Sequence, residues 1–182
     1  SYMRIIAGKH KGLNLKSFDF EGTRPTSDKV REAVFSKIQF NIMGSRCLDL
    51  FGGTGAVTLE LLSRGAESVI VCDNNIKSIS LIKENSTKAK ENPTILKMDY
   101  KQALAKQSEE NNQFDIIFLD PPYKSDFGNK SIKYICDNNL LDDDGILIYE
   151  CDKSTVVDSA NFEVFDEKVY GTIKVVFIKK RD

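Results

Sequence analysis

The amino-acid sequence predicts an α/β fold in which a twisted parallel sheet carries helices on both faces. Three observations lead there. From residue 45 onward, short apolar runs of strand character alternate with longer stretches of helical periodicity. A glycine-rich turn at 52–55 joins the first of those strands to the helix after it. Acidic residues stand where strands end, at Asp49, Asp73, Asp99 and Asp120, and open α/β sheets bind ligands beyond the carboxyl ends of their strands.

The elements follow in order. Residues 3–7 and 13–18 read as two strands around a turn at 8–12, a hairpin. The loop Thr23-Arg24-Pro25-Thr26-Ser27-Asp28 ends in helix-capping residues, and Val30, Val34, Phe35 and Ile38 follow at helical spacing. Strand 47–51 runs through the glycine turn into helix 56–63, which Arg64-Gly65 closes. Strand 68–72 ends at Asp73, helix 76–90 is amphipathic, and strand 94–98 ends at Asp99. Helix 100–108 precedes strand 114–119 and the tetrapeptide Asp120-Pro121-Pro122-Tyr123. A helix over 128–138, a strand over 146–150 and a terminal hairpin of 162–165 and 172–179 complete the chain. The organisation expected is a basic hairpin-and-helix extension over 1–44 and a main domain over 45–182.

Composition narrows the class. The 182 residues are 41% hydrophobic and 29% charged, enough for a sizeable core and unlike a disordered or repetitive chain. No apolar run approaches the ~20 residues of a membrane span, and no stretch reads as a signal peptide. Cys47, Cys72, Cys136 and Cys151 lie far apart with one histidine, His10, so neither a metal site nor a disulfide framework is expected, and a reducing cytoplasm is the expected setting. The net charge of −1 conceals an asymmetry: residues 1–40 hold eight basic and four acidic side chains, and the rest hold 18 and 23. A basic edge on an acidic body suits phosphate, although a solvated hairpin is the plainer reading.

In Asp49-Leu50-Phe51-Gly52-Gly53-Thr54-Gly55 the glycines let backbone approach a ligand that any Cβ would exclude. Asp73, eighteen residues past Gly55, is placed to accept hydrogen bonds from both hydroxyls of a ribose. A dinucleotide is disfavoured because Thr58 stands where the third glycine of that fingerprint belongs. Asp49 before the turn suits the cationic amino-acid end of S-adenosylmethionine better than a pyrophosphate. In the tetrapeptide, the prolines stiffen the loop, Asp120 and the Pro121 carbonyl supply acceptors, and Tyr123 supplies a flat face. That set fits a planar ring bearing an exocyclic NH2, held by hydrogen bonds and by stacking.

These stretches, with Arg4-Ile5-Ile6-Ala7-Gly8 and the run from Arg24 to Phe35 that begins Arg-Pro-Thr-Ser-Asp, resemble the RsmD-type family of bacterial guanine-N2 methyltransferases acting on 16S ribosomal RNA. The resemblance covers nearly the whole chain. It implies the seven-stranded, Rossmann-like methyltransferase sheet, S-adenosylmethionine as cofactor, and ribosomal RNA in a small-subunit particle as substrate. It implies cofactor contacts from Asp49, Phe51, Gly53, Gly55, Asp73, Asn74 and Asp99, with Asp99 near the adenine and Phe51 where the wider pattern has glycine. Asp120, Pro121, Pro122 and Tyr123 become the catalytic loop. Arg4, Lys9, His10, Lys11, Lys16, Arg24, Lys29 and Arg31 become candidates to hold RNA phosphates, with Arg31 equally suited to a structural ion pair. A monomer is expected. The rival acceptors are adenine N6 in DNA and a protein glutamine amide, and the rival class is a non-catalytic RNA-binding assembly module.

Overall fold

The structure, a computed structural model, describes residues 2–18 and 28–182. The expected capping loop, with Arg24, lies outside the described residues. Strands β1 (Tyr2–Arg4) and β2 (Asn14–Lys16) form an antiparallel pair. They precede helices α1 (Asp28–Lys37) and α2 (Gln39–Ile42). The alternating body follows: β3 (Arg46–Asp49), α3 (Ala56–Ser63), β4 (Ser68–Asp73), α4 (Ile76–Ala89), β5 (Thr94–Lys97), α5 (Tyr100–Glu109), β6 (Phe114–Leu119), α6 (Phe127–Asp137), β7 (Leu141–Asp152), β8 (Phe162–Tyr170) and β9 (Ile173–Lys180). Among the described residues, no helix is long and apolar enough to cross a membrane.

The large sheet has seven strands in the order β5-β4-β3-β6-β7-β9-β8, with β3 to β7 parallel and β9 antiparallel to both its neighbours. The chain builds outward from β3 to β5, then returns across the sheet to β6. The carboxyl ends of β3 and β6 therefore flank the point where strand order reverses, and a crevice opens there.

Side chains alternate across the sheet as its period of two requires. Cys47, Ile116, Phe118, Ile148 and Phe177 enter one core cluster, with Leu59 and Leu62 of α3. Leu48, Ile117, Leu119, Leu147 and Ile178 enter the other, under α5 and α6. Ile5, Leu15, Val30, Val34, Phe35 and Ile38 join the first cluster, so the N-terminal elements share the core of the sheet. α4 is capped by Asn75, which accepts from the Lys77 amide, and α5 by a capping box of Asp99 and Gln102.

Three elements differ from expectation. α2 was not anticipated, because four residues hold too little periodicity to show. β7 begins at Leu141 rather than 146; its pairing with β6 is irregular between Phe114 and Ile116, and the polar Asp142-Asp143-Asp144-Gly145 run hides that first part. β8 continues to Tyr170 through alternating exposed positions that look like loop.

The hairpin is buckled onto α3 by two side chains. Glu60, 0% exposed, accepts from the amides of Ile6 (2.8 Å) and Ala7 (3.1 Å), and Arg64 Nε donates to it at 2.8 Å. Ser63 donates to the Ala7 carbonyl (2.7 Å) and accepts from the His10 amide (3.0 Å). The approach is so close that a Cβ on Gly8, whose φ is +88°, would lie 2.0 Å from the Ser63 carbonyl oxygen. Gly8→Ala should therefore lower the unfolding free energy by about 2–3 kcal/mol, read from the denaturant midpoint. An unchanged midpoint would mean that the hairpin is not held against α3 in solution.

Candidate active site

Loops at the carboxyl ends of β3, β6 and β7 enclose a cavity of about 850 Å³, within the ~300–1,000 Å³ range of small-molecule sites. Of the expected residues, Asp49, Phe51, Gly53, Asp120, Pro121, Pro122 and Tyr123 line it. Gly55, Asp73, Asn74 and Asp99 are not among its lining residues. Gly55, at φ +85°, caps α3, and Asn74 is exposed. Asp99 is engaged as the cap of α5, accepting from the Lys101 amide at 2.8 Å.

The glycine turn is held from both sides. The Gly53 amide donates to Asp73 Oδ2 at 3.0 Å, and Asp73 Oδ1 accepts from the Asn75 amide at 2.9 Å. From the hairpin side Asn85 of α4, fully buried, donates to the Thr54 and Lys16 carbonyls at 2.9 Å each. Gly53 has φ +57° and nothing within 4 Å of where a Cβ would lie, so open space stands over the turn. Phe51 packs on Tyr100 with ring centroids 5.4 Å apart and forms an apolar wall.

Asp49 is 1% exposed and accepts from the Thr58 hydroxyl at 2.8 Å. Thr58, which disfavours a dinucleotide, is the partner of the acid. Burial pushes the Asp49 pKa up to about 7, and the charge of Asp73 adds to the rise against the Thr58 hydrogen bond. Asp120 keeps exposed surface and lines the cavity. Its pKa is raised well above the carboxylate range, first by loss of hydration, then by Glu150 and Asp49. Leu119 pairs with Tyr149 across β6 and β7, which sets Asp120 beside Glu150.

Tyr123 is 67% exposed, and its hydroxyl donates to Asp152 Oδ2 at 2.8 Å. Asp152 accepts from Ser154 through both amide and hydroxyl, and these bonds, joined by Tyr123, hold its pKa down to about 2. An ionised anchor thus fixes the edge of an exposed aromatic face.

Of the expected phosphate-holding residues, Arg4, Lys9, Lys11, Lys16 and Lys29 are exposed. Arg4, Lys9 and Lys16 lie near Asp28, Glu91 and Glu84 at 3.6, 3.1 and 3.8 Å, surface pairs of small energetic weight. His10 is half-buried and bonded to Glu91 at 2.7 Å. Arg31 is corrected: at 3% exposure it does not reach the surface. Its Nη2 donates to Asp28 (2.5 Å) and to the Arg4 carbonyl (3.1 Å), and its side chain lines the cavity.

Sequence reasoning missed Glu150, Asp152 and Glu60. Glu150 closes the expected strand 146–150, the same signal that marked the other strand-end acids. Asp152 lies past that expected end, and nothing local distinguishes Glu60 from a solvent-facing helix residue.

A family model described as Conserved hypothetical protein 95 matches residues 3–179. The chain belongs to that family. This is the RsmD-type family whose motifs the sequence carries. Among relatives of the RsmD-type chain, Ribosomal RNA small subunit methyltransferase D of Haemophilus influenzae is 32% identical over 181 residues, 94% of this chain and 90% of that protein. The Escherichia coli protein of the same name is 32% identical over 174 residues, 94% and 86% of the two chains. Among solved structures, Escherichia coli yhhF, described as a candidate methyltransferase, has a TM-score of 0.86 at 28% identity, covering 100% of both chains. SMU.776, solved with SAH, has a TM-score of 0.74 at 18% identity, covering 92% of this chain and 54% of its own, and shares the fold.

The raised Asp49 pKa has a measurable consequence. An unfolded aspartate loses its proton near 3.8 and the folded one near 7, so folding takes up a proton between those values and stability falls as pH rises across them. Asp49→Asn should be close to neutral at pH 4 and stabilising by about 2–4 kcal/mol at pH 8, measured by denaturant unfolding of the ligand-free protein. A difference between the two proteins that does not vary with pH would show that the carboxyl ionises normally.

Proposed function

We propose that this RsmD-type chain is an S-adenosylmethionine-dependent methyltransferase that methylates N2 of a guanine in 16S ribosomal RNA. The observation that carries the reading is one cavity lined at one end by the glycine turn and Asp49, and at the other by Asp120 to Tyr123. Support comes from the names of the relatives and from the neighbour solved with SAH.

The residues present fit that cofactor. Open space over Gly53 leaves room for a ligand, Asp49 offers a buried carboxylate to an ammonium, and Asp73 has lone pairs left beyond its two backbone bonds. When bound, S-adenosylmethionine supplies the methyl group. Asp120 and the Pro121 carbonyl accept hydrogen bonds from the exocyclic amine and orient the nitrogen, whose lone pair is otherwise delocalised into the ring. The carboxylate then stabilises the positive charge that develops on that nitrogen. A raised pKa makes Asp120 a stronger proton acceptor than an ordinary aspartate, so it also takes the proton the nitrogen releases. Tyr123, braced by Asp152, is the stacking platform for the base.

The hairpin and first helix, residues 1–44, are the RNA-facing extension in this reading. Arg4, Lys9, Lys11, Lys16 and Lys29 present exposed charge there, suited to phosphates of a small-subunit particle.

Asp120→Ala should keep its affinity for S-adenosylhomocysteine within about twofold and lose methyl transfer by at least ~100-fold. The assay offers labelled cofactor to unmethylated small subunits, naked ribosomal RNA, DNA and protein, with mass mapping of the product. Full turnover by the variant removes Asp120 from the chemistry, and label in adenine N6 or glutamine overturns the guanine assignment. Tyr123→Ala should raise KM for RNA by roughly 5- to 100-fold, the worth of one stacked base, and Tyr123→Phe by less. Equal KM values for all three proteins would exclude stacking on this ring.

A further inference from the structure

Arg31 is a charged side chain in an unusual state. It is 3% exposed and lines the cavity, yet its Nε and Nη1 are buried with no hydrogen-bond partner among the described residues. Among those residues Nη2 alone is used, by Asp28 and the Arg4 carbonyl. Glu60 Oε1 is 3.9 Å from Nη1, beyond hydrogen-bond reach, and Glu60 is itself occupied by two backbone amides and Arg64. Leaving buried guanidinium donors unpaired costs about 1–3 kcal/mol or more each, so a side chain of the cavity lining that keeps two of them unpaired fits an acceptor that arrives there.

The same cavity lining supplies the complement. Asp49 is a buried carboxylate, and Met3, Thr54, Ala56 and Val57 lie in the lining with Arg31 and Asp49. A group that meets both is a zwitterion, with a carboxylate for the planar guanidinium fork and an ammonium for the aspartate. An RNA phosphate is the poorer occupant, because it carries no cationic group for Asp49.

We propose that Arg31 binds the carboxylate at the amino-acid end of the cofactor, with Asp49 taking the ammonium. This rests on the S-adenosylmethionine reading above and assigns to Arg31 a role distinct from RNA contact. Asp28 and the Arg4 carbonyl hold the guanidinium by Nη2, which leaves the other donors for the ligand.

The test is calorimetric binding of S-adenosylhomocysteine and of 5′-methylthioadenosine, which keeps the adenosyl thioether and lacks the amino-acid end. Arg31→Met should lose about 10- to 100-fold in affinity for the first and stay within about twofold for the second, with Arg31→Lys between. An equal loss for both ligands would mean that Arg31 only supports the cavity. Unchanged affinity for S-adenosylhomocysteine with weakened RNA binding would make the anion a phosphate. Either outcome overturns the proposal. Should Arg31→Met fail to give a cooperative thermal transition, the wild-type protein and Arg31→Lys are compared on the decarboxylated analogue of S-adenosylhomocysteine. Wild-type binding equal to that of the parent compound, or the same discrimination in both proteins, also overturns it. A wild-type protein that binds none of these ligands fails the cofactor reading itself, a separate result.

Discussion

Carboxylates crowded at the ends of neighbouring parallel strands are the constraint on which the site depends. Register alone brings them together: Asp49 pairs with Phe118 across β3 and β6, and Leu119 pairs with Tyr149 across β6 and β7. Asp120 and Glu150 then emerge side by side at the switch point, with Asp49 close enough to raise the Asp120 pKa. Like charges in a half-enclosed space oppose the folded state. A fold that keeps them there, under helices that pack both faces of the sheet, has a cleft suited to a cation or to a group that becomes one. Preorganised charge of this kind needs no rearrangement as the reaction proceeds.

The N-terminal hairpin belongs to the same electrostatic design. Glu60 in α3 is buried without accessible surface and is satisfied by the Ile6 and Ala7 amides and by Arg64, with Arg31 at the edge of reach. A buried carboxylate with that many donors locks two segments that a purely apolar contact would let slide. The lock brings Met3 and Arg31 to the cavity wall, so the segment that carries exposed basic residues on its outside also closes the ligand space on its inside. In the proposed reading, RNA docking and cofactor binding thereby share one structural element.

Much of this was legible in the sequence because it rests on local chemistry. Periodicity marked the alternating elements, glycines marked the turn at 52–55, and two of the strand-end acids, Asp49 and Asp120, marked where the cavity opens. The Asp120 loop announced itself through two prolines, whose stiffness depends on no distant partner. What escaped depends on long-range contacts. Glu60 is an ordinary helix glutamate until the hairpin, more than fifty residues away in sequence, lays its amides on it. Arg31 looked suited to RNA because basic residues usually lie in solvent, and only the packing of α1 against the sheet buries it. Asp152 was passed over because the expected strand stops at Glu150, two residues short of the partner of Tyr123.

The Tyr123 anchor shows why such partners matter to function. An aromatic ring at 67% exposure has little packing to hold it, and a stacking platform that swings freely must be immobilised each time a base binds. The hydrogen bond to Asp152 supplies part of that order in advance. Its acceptor stays ionised at any working pH, because Ser154 holds the carboxylate pKa down to about 2. Two acids near the Asp120 loop are thus tuned in opposite directions. Asp120, with burial and other acids against its charge, has a raised pKa, whereas Asp152, well supplied with donors, stays ionised near neutrality. Two carboxylates on adjoining elements differ in proton affinity through their surroundings alone. The first is suited to a reaction in which a proton must be received, and the second to keeping a ring still while that happens.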